Sequence, residues 1–343
     1  MGIPAPSEVC GVGSSLARCR AVLRWRMRRG MREGSHDTRE DGRMPPLLLA
    51  ESALDARFLA ATAAAAAAAR RWVGSGDGMA VDAAAVAAMR AALSGVDVDG
   101  RVLVGEGEKD AAPMLHLGER FGTGAGPSVD LAVDPVDGTR LAAAGLAGAM
   151  AVMAVAPRGA LLDIGPAHYM EKLVSRVPGL RIDAPLADAV ARIAEARGID
   201  AAAVRVAVQE RPRNDGYVCA ARAAGASVEL FEHGDVERCL RAAQAGADVD
   251  LVVGIGGAPE GVLTAAGVRA LGGWMQARLA PQGADEAGRL AASGRSADRV
   301  HGLDELCGDE AWLFLTAVTA CTVAPGRTLQ PGESWSVAPG SRR

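Results

Sequence analysis

Four acids in this sequence stand where chemistry is commonly done. Glu106, Asp134, Asp137 and Glu260 each follow an apolar, strand-like run and sit among glycines. In open α/β sheets, ligands bind at the edge beyond the carboxyl ends of the strands. Carboxylates converging on that edge repel one another. A divalent cation resolves the conflict, because hard cations take carboxylate oxygens as ligands. The sharpest segment is Asp134-Pro135-Val136-Asp137-Gly138-Thr139. Asp134 is expected to close a strand over 129–133, Pro135 to fix the backbone for a turn, and Asp137 to point at the same ion. Gly138 and Thr139 then open a helix expected through Leu141 to Ala144, whose free N–H groups suit a phosphate. The motif thus offers a pair of metal ligands, anion-binding amides and a hydroxyl, that of Thr139, beside an attacking water, with a neighbouring acid expected to hold that hydroxyl. The same residues also fit an ordinary turn with a helix cap, so the motif alone does not decide.

The other segments are weaker by themselves. Gly105-Glu106-Gly107-Glu108 reads equally as a solvated turn, and gains weight from lying between a strand and the Asp134 motif. The run Gly254-Ile255-Gly256-Gly257-Ala258-Pro259-Glu260-Gly261 has the look of a dinucleotide loop, but the glycine register fails. Pro259 stands where the third glycine belongs, and an acid at the helix start would oppose a pyrophosphate. A glutamate at a helix N-terminus is ordinarily a cap, and Glu260 can serve as a metal ligand as well. Arg211-Pro212-Arg213 presents paired guanidiniums at an expected strand end, which suits a phosphate and equally a solvated surface.

These residues need a scaffold that brings strand ends to one edge, and the hydrophobic pattern supplies it. Helices are expected over 51–73, 82–93, 185–197, 215–224, 235–245 and 260–271. Strands are expected over 101–104, 129–133, 204–208, 228–231, 249–253 and 312–318, with 150–156 and 160–164 paired through the turn Pro157-Arg158-Gly159. Alternation of this kind implies a layered α/β fold with mostly parallel strands. The residues from Pro325 onward read as a loose tail.

Composition narrows the class. At roughly 150 residues per domain, 343 residues suggest about two domains. A hydrophobic share of 50% excludes a disordered chain, and a formal net charge of −4 argues against a wholesale nucleic-acid binder. With only 3% aromatic residues the core must be built from Ala, Val and Leu. Lys109 and Lys172 are the only lysines. Six scattered cysteines, with no metal-type spacing, read as reduced thiols of a cytoplasmic protein, and no long charge-free apolar run suggests a membrane span. Residues 1–43 carry nine Arg against five acids, with a dense run at Arg24, Arg26, Arg28, Arg29 and Arg32. Such a run suits a nucleic-acid tail, a membrane-surface tail or a targeting peptide. The plainer expectation is a disordered or spurious extension, with Met44 as the real start.

Taken together and in order, several blocks resemble the class II fructose-1,6-bisphosphatases, of the lithium-sensitive, metal-dependent phosphatase superfamily. They are Gly105 to Glu108, Ala112 to Leu115, Val129 to Thr139, Tyr169-Met170-Glu171-Lys172 and Gly254 to Gly261. The resemblance runs from about Met44 to about Leu271 and implies an α/β/α/β/α sandwich of the sugar-phosphatase type with a Mg²⁺ or Mn²⁺ site. By position it makes Asp82, Glu106, Asp134, Asp137 and Glu260 metal ligands. Thr139, with Glu106 and Asp137, would be catalytic. The amides of Gly138 and Thr139 would hold the phosphate being cleaved, and Asp137, Tyr169, Arg211, Pro212, Arg213, His233, Gly234, Asp235 and Gly257 would surround the substrate. A metal-binding phosphatase domain would comprise 44–175 and 262–324, with a second α/β domain over 176–261 and a tail over 325–343.

The departures bear on the substrate. Asp137 stands where the family usually has Glu, Gly78 where it has Lys, and His233 where it has an acid; its closing strands and helices are hard to find beyond Trp274. The resemblance implies a cytoplasmic phosphomonoesterase that releases the 1-phosphate of a sugar bisphosphate, fructose 1,6-bisphosphate foremost. Sedoheptulose 1,7-bisphosphate or another sugar or cyclitol phosphate is the nearest substitute. A catalytically weakened binding or regulatory subunit is the rival from another class. The implied partners are a small sugar phosphate and further copies of the chain, as dimer or tetramer, with neither nucleic acid nor membrane.

Overall fold

The computed structural model describes residues 54–105 and 115–339, which belong to one compact unit. The elements are helices α1 (Leu54–Ala69) and α2 (Gly78–Leu93), strands β1 (Asp99–Val104), β2 (Arg120–Phe121) and β3 (Ser128–Asp137), and the short helix α3 (Thr139–Ala144). Strands β4 (Met150–Pro157) and β5 (Tyr169–Ser175) follow, then α4 (Leu186–Arg197), β6 (Arg205–Gln209), α5 (Asp215–Ala223), β7 (Ser227–Phe231), α6 (Asp235–Ala242), β8 (Leu251–Gly257) and α7 (Ala258–Ala270). The chain closes with β9 (Trp274–Leu279), α8 (Ala284–Ala292), β10 (His301–Gly302), α9 (Leu303–Leu306), β11 (Trp312–Ala317), β12 (Cys321–Ala324), β13 (Arg327–Leu329) and β14 (Ser334–Val337).

Two mixed sheets organise the unit, in the orders β14-β11-β4-β3-β1-β2 and β10-β9-β5-β8-β6-β7. Helices α1 and α2 cover one face of the first sheet, α6 and α7 fill the space between the sheets, and α4 and α5 cover the far face of the second. The expected α/β/α/β/α layering is therefore what the chain builds. Alanine makes the close layers possible. Helix α1 buries Phe58, Ala61, Thr62, Ala65, Ala66 and Ala69, a stripe at helical spacing made mostly of alanine. Thr62 on that stripe shares a hydrogen bond of 2.9 Å with Thr316 of β11, and Phe58 meets Phe314 with ring centroids 5.7 Å apart.

Several expectations need correction. The sheets are not mostly parallel: among the described residues only β1–β3, β6–β7 and β6–β8 pair that way, and the other ladders are antiparallel. Residues 160–164 do not pair with β4; that strand lies between β3 and β11, and Leu161 makes a single bridge to Cys307. Alternating hydrophobicity beside a Pro-Arg-Gly turn suggests a hairpin, but the neighbours of β4 come from distant sequence. The segment after Pro325 is no loose tail: β13 pairs with β12, and β14 is an edge of the first sheet. Strands β9 and β11 likewise supply closing strands beyond Trp274. Helix α2 starts at Gly78, ahead of the expected 82, because Asp77 caps it by accepting the Ala80 N–H at 3.0 Å.

Strand β3 also runs further than expected, through Asp134-Pro135-Val136 to Asp137. Pro135 has no N–H for the ladder, and the register with β4 shifts between Asp134 and Asp137. Asp134 pairs with Val152 and Asp137 with Met150, so β3 carries one residue more than its partner over this step. On a regular strand, residues three apart face opposite sides. The inserted residue brings Asp134 and Asp137 back toward one side, and both are buried.

Candidate active site

The topology gathers chemistry-bearing residues at one edge of each sheet. In the first sheet β1 and β3 are parallel. The carboxyl end of β1 leads to Gly105, and that of β3 carries Asp134 and Asp137. In the second sheet β6, β7 and β8 are parallel. Their carboxyl ends lead to Arg211 and Arg213, to His233-Gly234-Asp235, and to Glu260. Antiparallel β5 brings its first residue, Tyr169, opposite Gly257. Glu106, expected as a ligand and catalytic acid, lies outside the described residues, as do Glu108 and Lys109 of the same segment.

On the first sheet, Asp134 Oδ1 accepts the Val136 N–H at 2.9 Å. This bond stabilises the bulge that Pro135 creates. Gly138 follows with φ of +81°, a left-handed value that favours glycine, and starts α3. Thr139 Oγ1 donates to the Val136 carbonyl at 2.8 Å, not to an acid as expected. Its proton is therefore committed, and its oxygen remains an acceptor. Across from it, a Cβ on Gly78 would lie 3.4 Å from Thr139 Cγ2, so the start of α2 packs on this threonine. Asp82 lies one turn further along α2, in line with Gly78. Gly78 brings no cation of its own, and Arg140, adjacent to Thr139, is exposed.

Asp137 joins the two sheets. It takes a hydrogen bond from the Val236 amide in the first turn of α6. Burial pushes its carboxyl up to about 8, and the nearby carboxylates of Asp235 and Glu260 push the same way. Glu260 is raised as well, first by burial. Oδ2 of Asp137 and Oε2 of Glu260 are buried and accept no hydrogen bond among the described residues. A Cβ on Gly257 would overlap the Glu260 carboxylate, so the absence of a side chain there is what lets this acid lie where it does. Gly257→Ala is accordingly expected to keep the fold and to weaken Mn²⁺ binding about tenfold or more, the scale of a disturbed ligand environment; isothermal titration with Mn²⁺ checks it, and unchanged affinity would detach Glu260 from the ion.

On the second sheet, Arg213 and Tyr169 form a unit. The guanidinium carbon lies 4.7 Å from the Tyr169 ring centroid, and Arg213 Nε donates to Ile255 O at 3.0 Å. The adjacent turn is pinned to β8 by fully buried Asn214, which accepts from Ile255 N–H at 2.8 Å and donates to Gln209 O at 2.9 Å. Strand β6 ends at Gln209, so Arg211, Pro212 and Arg213 belong to a turn beyond the strand and not to the strand end expected for them. Arg211 donates to Glu232 O at 2.8 Å and lies 3.5 Å from His233 Nδ1. Burial, then Arg211 and Arg140, lower the His233 pKa, which favours a neutral imidazole. Gly234 leads into α6, where Asp235 is buried.

Among the described residues no three carboxylate, histidine or cysteine side chains close a metal shell by themselves. The chemistry of the donor set nevertheless fits a hard divalent cation: every ligand assigned by position is a carboxylate, and two of their buried oxygens await a partner. Sequence reasoning missed Lys172, fully buried beside Asp235. The available signal was its rarity as a lysine in an arginine-rich chain. Cys219, Cys239, Cys307 and Cys321 are free thiols, as expected. No helix among the described residues is long and apolar enough to cross a membrane.

Residues 52–335 match the model of a family described as bacterial fructose-1,6-bisphosphatase, glpX-encoded. The chain is 43% identical over 226 residues to fructose-1,6-bisphosphatase 1 class 2 of Escherichia coli K12, covering 65% of this chain and 67% of that protein. The class 2 enzymes of Escherichia coli O6:H1 and of Shigella flexneri match to the same extent, at 43% identity over 226 residues. The match covers the layered fold and its acid-bearing strand ends together, and the chain belongs to the metal-dependent class II fructose-1,6-bisphosphatase family.

Proposed function

We propose that the chain hydrolyses the 1-phosphate of a sugar bisphosphate, fructose 1,6-bisphosphate foremost, to fructose 6-phosphate and phosphate. The observation that carries this reading is the meeting of buried Asp137 at the end of β3 with Glu260 at the start of α7, each with an oxygen that accepts no hydrogen bond among the described residues. The names of the matched relatives point to the same substrate. Asp82, Asp134, Asp137 and Glu260 would hold Mg²⁺ or Mn²⁺, together with Glu106. Such an ion polarises a phosphoryl group and lowers the pKa of bound water.

The chain's own residues do the rest. Thr139 Oγ1, with its proton given to Val136 O, accepts a hydrogen bond from the attacking water and orients it. The amides of Gly138 and Thr139 face the phosphate, and Arg211 and Arg213 bind the distal one, with Arg213 held in place by Tyr169 and Ile255. Neutral His233 can donate and accept hydrogen bonds with sugar hydroxyls, beside Asp235. The same reading makes the protein a cytoplasmic homo-oligomer, dimer or tetramer, acting on a small sugar phosphate.

The experiment is phosphate release by purified protein with Mg²⁺ or Mn²⁺ on fructose 1,6-bisphosphate, sedoheptulose 1,7-bisphosphate and inositol monophosphate. The expected result is the highest kcat/KM for fructose 1,6-bisphosphate. A higher value for another sugar would shift the substrate and keep the chemistry. Release from none would favour a binding or regulatory subunit.

A further inference from the structure

Lys172 is the only lysine among the described residues, and it is 2% exposed. It stands on β5 with its head group at the junction of the two sheets. Nζ donates to Asp235 Oδ2 at the start of α6 and lies 3.5 Å from the Gly257 carbonyl at the end of β8. The other oxygen of Asp235 takes a contact from the Cys239 thiol, one turn along α6, at 3.9 Å. Both oxygens of this acid are thereby held. The backbone leaves room for the pair: a Cβ on Gly256 would fall 2.7 Å from Asp235 Oδ2 and 3.0 Å from Lys172 Nζ.

The charges explain why a cation is needed at this point. Asp137, Asp235 and Glu260 act on one another from three elements, and Lys172 acts on Asp137 and Glu260 in the opposite sense. Arg213 also reaches Glu260. Burial alone would discharge Lys172, but Asp235 and Glu260, together with the hydrogen bond to Asp235, hold it charged. The choice of lysine is informative in a chain whose other cationic side chains are, Lys109 aside, arginines. A guanidinium is a broad planar fork, whereas an ammonium is a compact point charge on a thin stem. The close approach of Gly256, whose Cβ would fall 3.0 Å from Lys172 Nζ, favours the second.

We propose that Lys172 is a positioning residue for the sugar-binding edge: it locks the Asp235 carboxylate and the Gly257 carbonyl into one frame, so that Asp235 meets the sugar already aimed. This rests on the substrate reading given above. The hydrogen bonds of Lys172 go to Asp235 and Gly257, on the sugar-binding side, so its loss is expected to remove binding common to ground and transition states. Lys172→Met, which keeps the length and deletes the charge, is expected to raise KM for fructose 1,6-bisphosphate about tenfold or more with kcat within about threefold. Binding of fructose 6-phosphate, measured by calorimetry and needing no turnover, should weaken by the same factor.

The double variant with Asp235→Asn should be no worse in KM than about twice the weaker single variant, because both changes break one contact. Lys172→Arg should fail to restore KM. A lowered melting temperature with unchanged KM and unchanged fructose 6-phosphate affinity would assign Lys172 to structure alone and overturn the proposal, as would full additivity in the double variant. If Lys172→Met does not fold, Lys172→Gln carries the test by the same criteria. Wild-type protein that binds fructose 6-phosphate but releases no phosphate would defeat the hydrolase reading alone, and the calorimetric comparison would still decide on Lys172. Absence of binding by the wild type would overturn both.

Discussion

Asp137→Asn is expected to lower kcat about 10³-fold or more while raising the melting temperature of the metal-free protein. The two effects have one origin. Asp137 is buried, 6% exposed, and sits near the carboxylates of Asp235 and Glu260. Without an ion, its charge faces like charges in a poorly solvated place, which is why its carboxyl is pushed up to about 8. Asparagine keeps the shape and the acceptor for the Val236 amide and removes the repulsion. A gain of about 1–2 kcal/mol corresponds to roughly 3 °C or more in a unit of this size. The same substitution removes a charged ligand from the cation. Metal-ion catalysis is worth several kcal/mol, and each 1.36 kcal/mol is about tenfold in rate.

Adding Mn²⁺ should therefore invert the stability order, since the wild type gains the free energy of binding and the variant gains little. Melting curves with and without Mn²⁺, beside steady-state kinetics, make the check. An asparagine variant that is less stable without metal, or that keeps wild-type kcat, contradicts the crowding argument.

Thr139→Ala carries the second large effect, a loss of about 10²–10³ in kcat with KM nearly unchanged, the range expected when a positioned proton-handling group is removed. The hydroxyl is fixed by its 2.8 Å bond to Val136 O, so the oxygen left to accept from water has a set direction. Alanine leaves the water free to turn. Serine restores the oxygen, and Thr139→Ser should return activity to within about tenfold of the wild type. It falls short because the lost methyl is the group that meets α2 near Gly78. Initial rates with all three side chains decide it: an alanine variant as active as serine would place water orientation elsewhere.

These expectations lean on residues whose importance is legible in the chain itself, for a physical reason. Asp134, Asp137 and Glu260 stand out because several acids at the ends of apolar strands would repel one another unless a cation joined them. The strand ends themselves are where a layered α/β fold collects its loops. Arg213 is legible as one of a guanidinium pair, but Tyr169 only through family resemblance, since their meeting depends on β5 running against β8, which no local pattern encodes.

What the sequence hides is long-range pairing. Pro135 looks like the end of β3, but proline ends only its own hydrogen bond, and the strand resumes across a bulge to Asp137. Residues 334–337 are short and half-exposed, and they read as tail until β11 offers an edge for them to pair with. Parallel and antiparallel neighbours leave the same alternation in a buried strand, so the sheets' mixed character is equally invisible. Lys172 is hidden for a related reason: a charged residue inside a strand gives no clue to its partner, and Asp235 lies far along the chain at the head of α6.

The joint role of these acids is tested most directly by stripping the purified protein with EDTA, removing the chelator, and following phosphate release from fructose 1,6-bisphosphate as Mn²⁺ or Mg²⁺ is returned. The account predicts no turnover after stripping and recovery that saturates with added ion in the wild type, with no such recovery in Asp137→Asn. Full turnover in the stripped protein would contradict it.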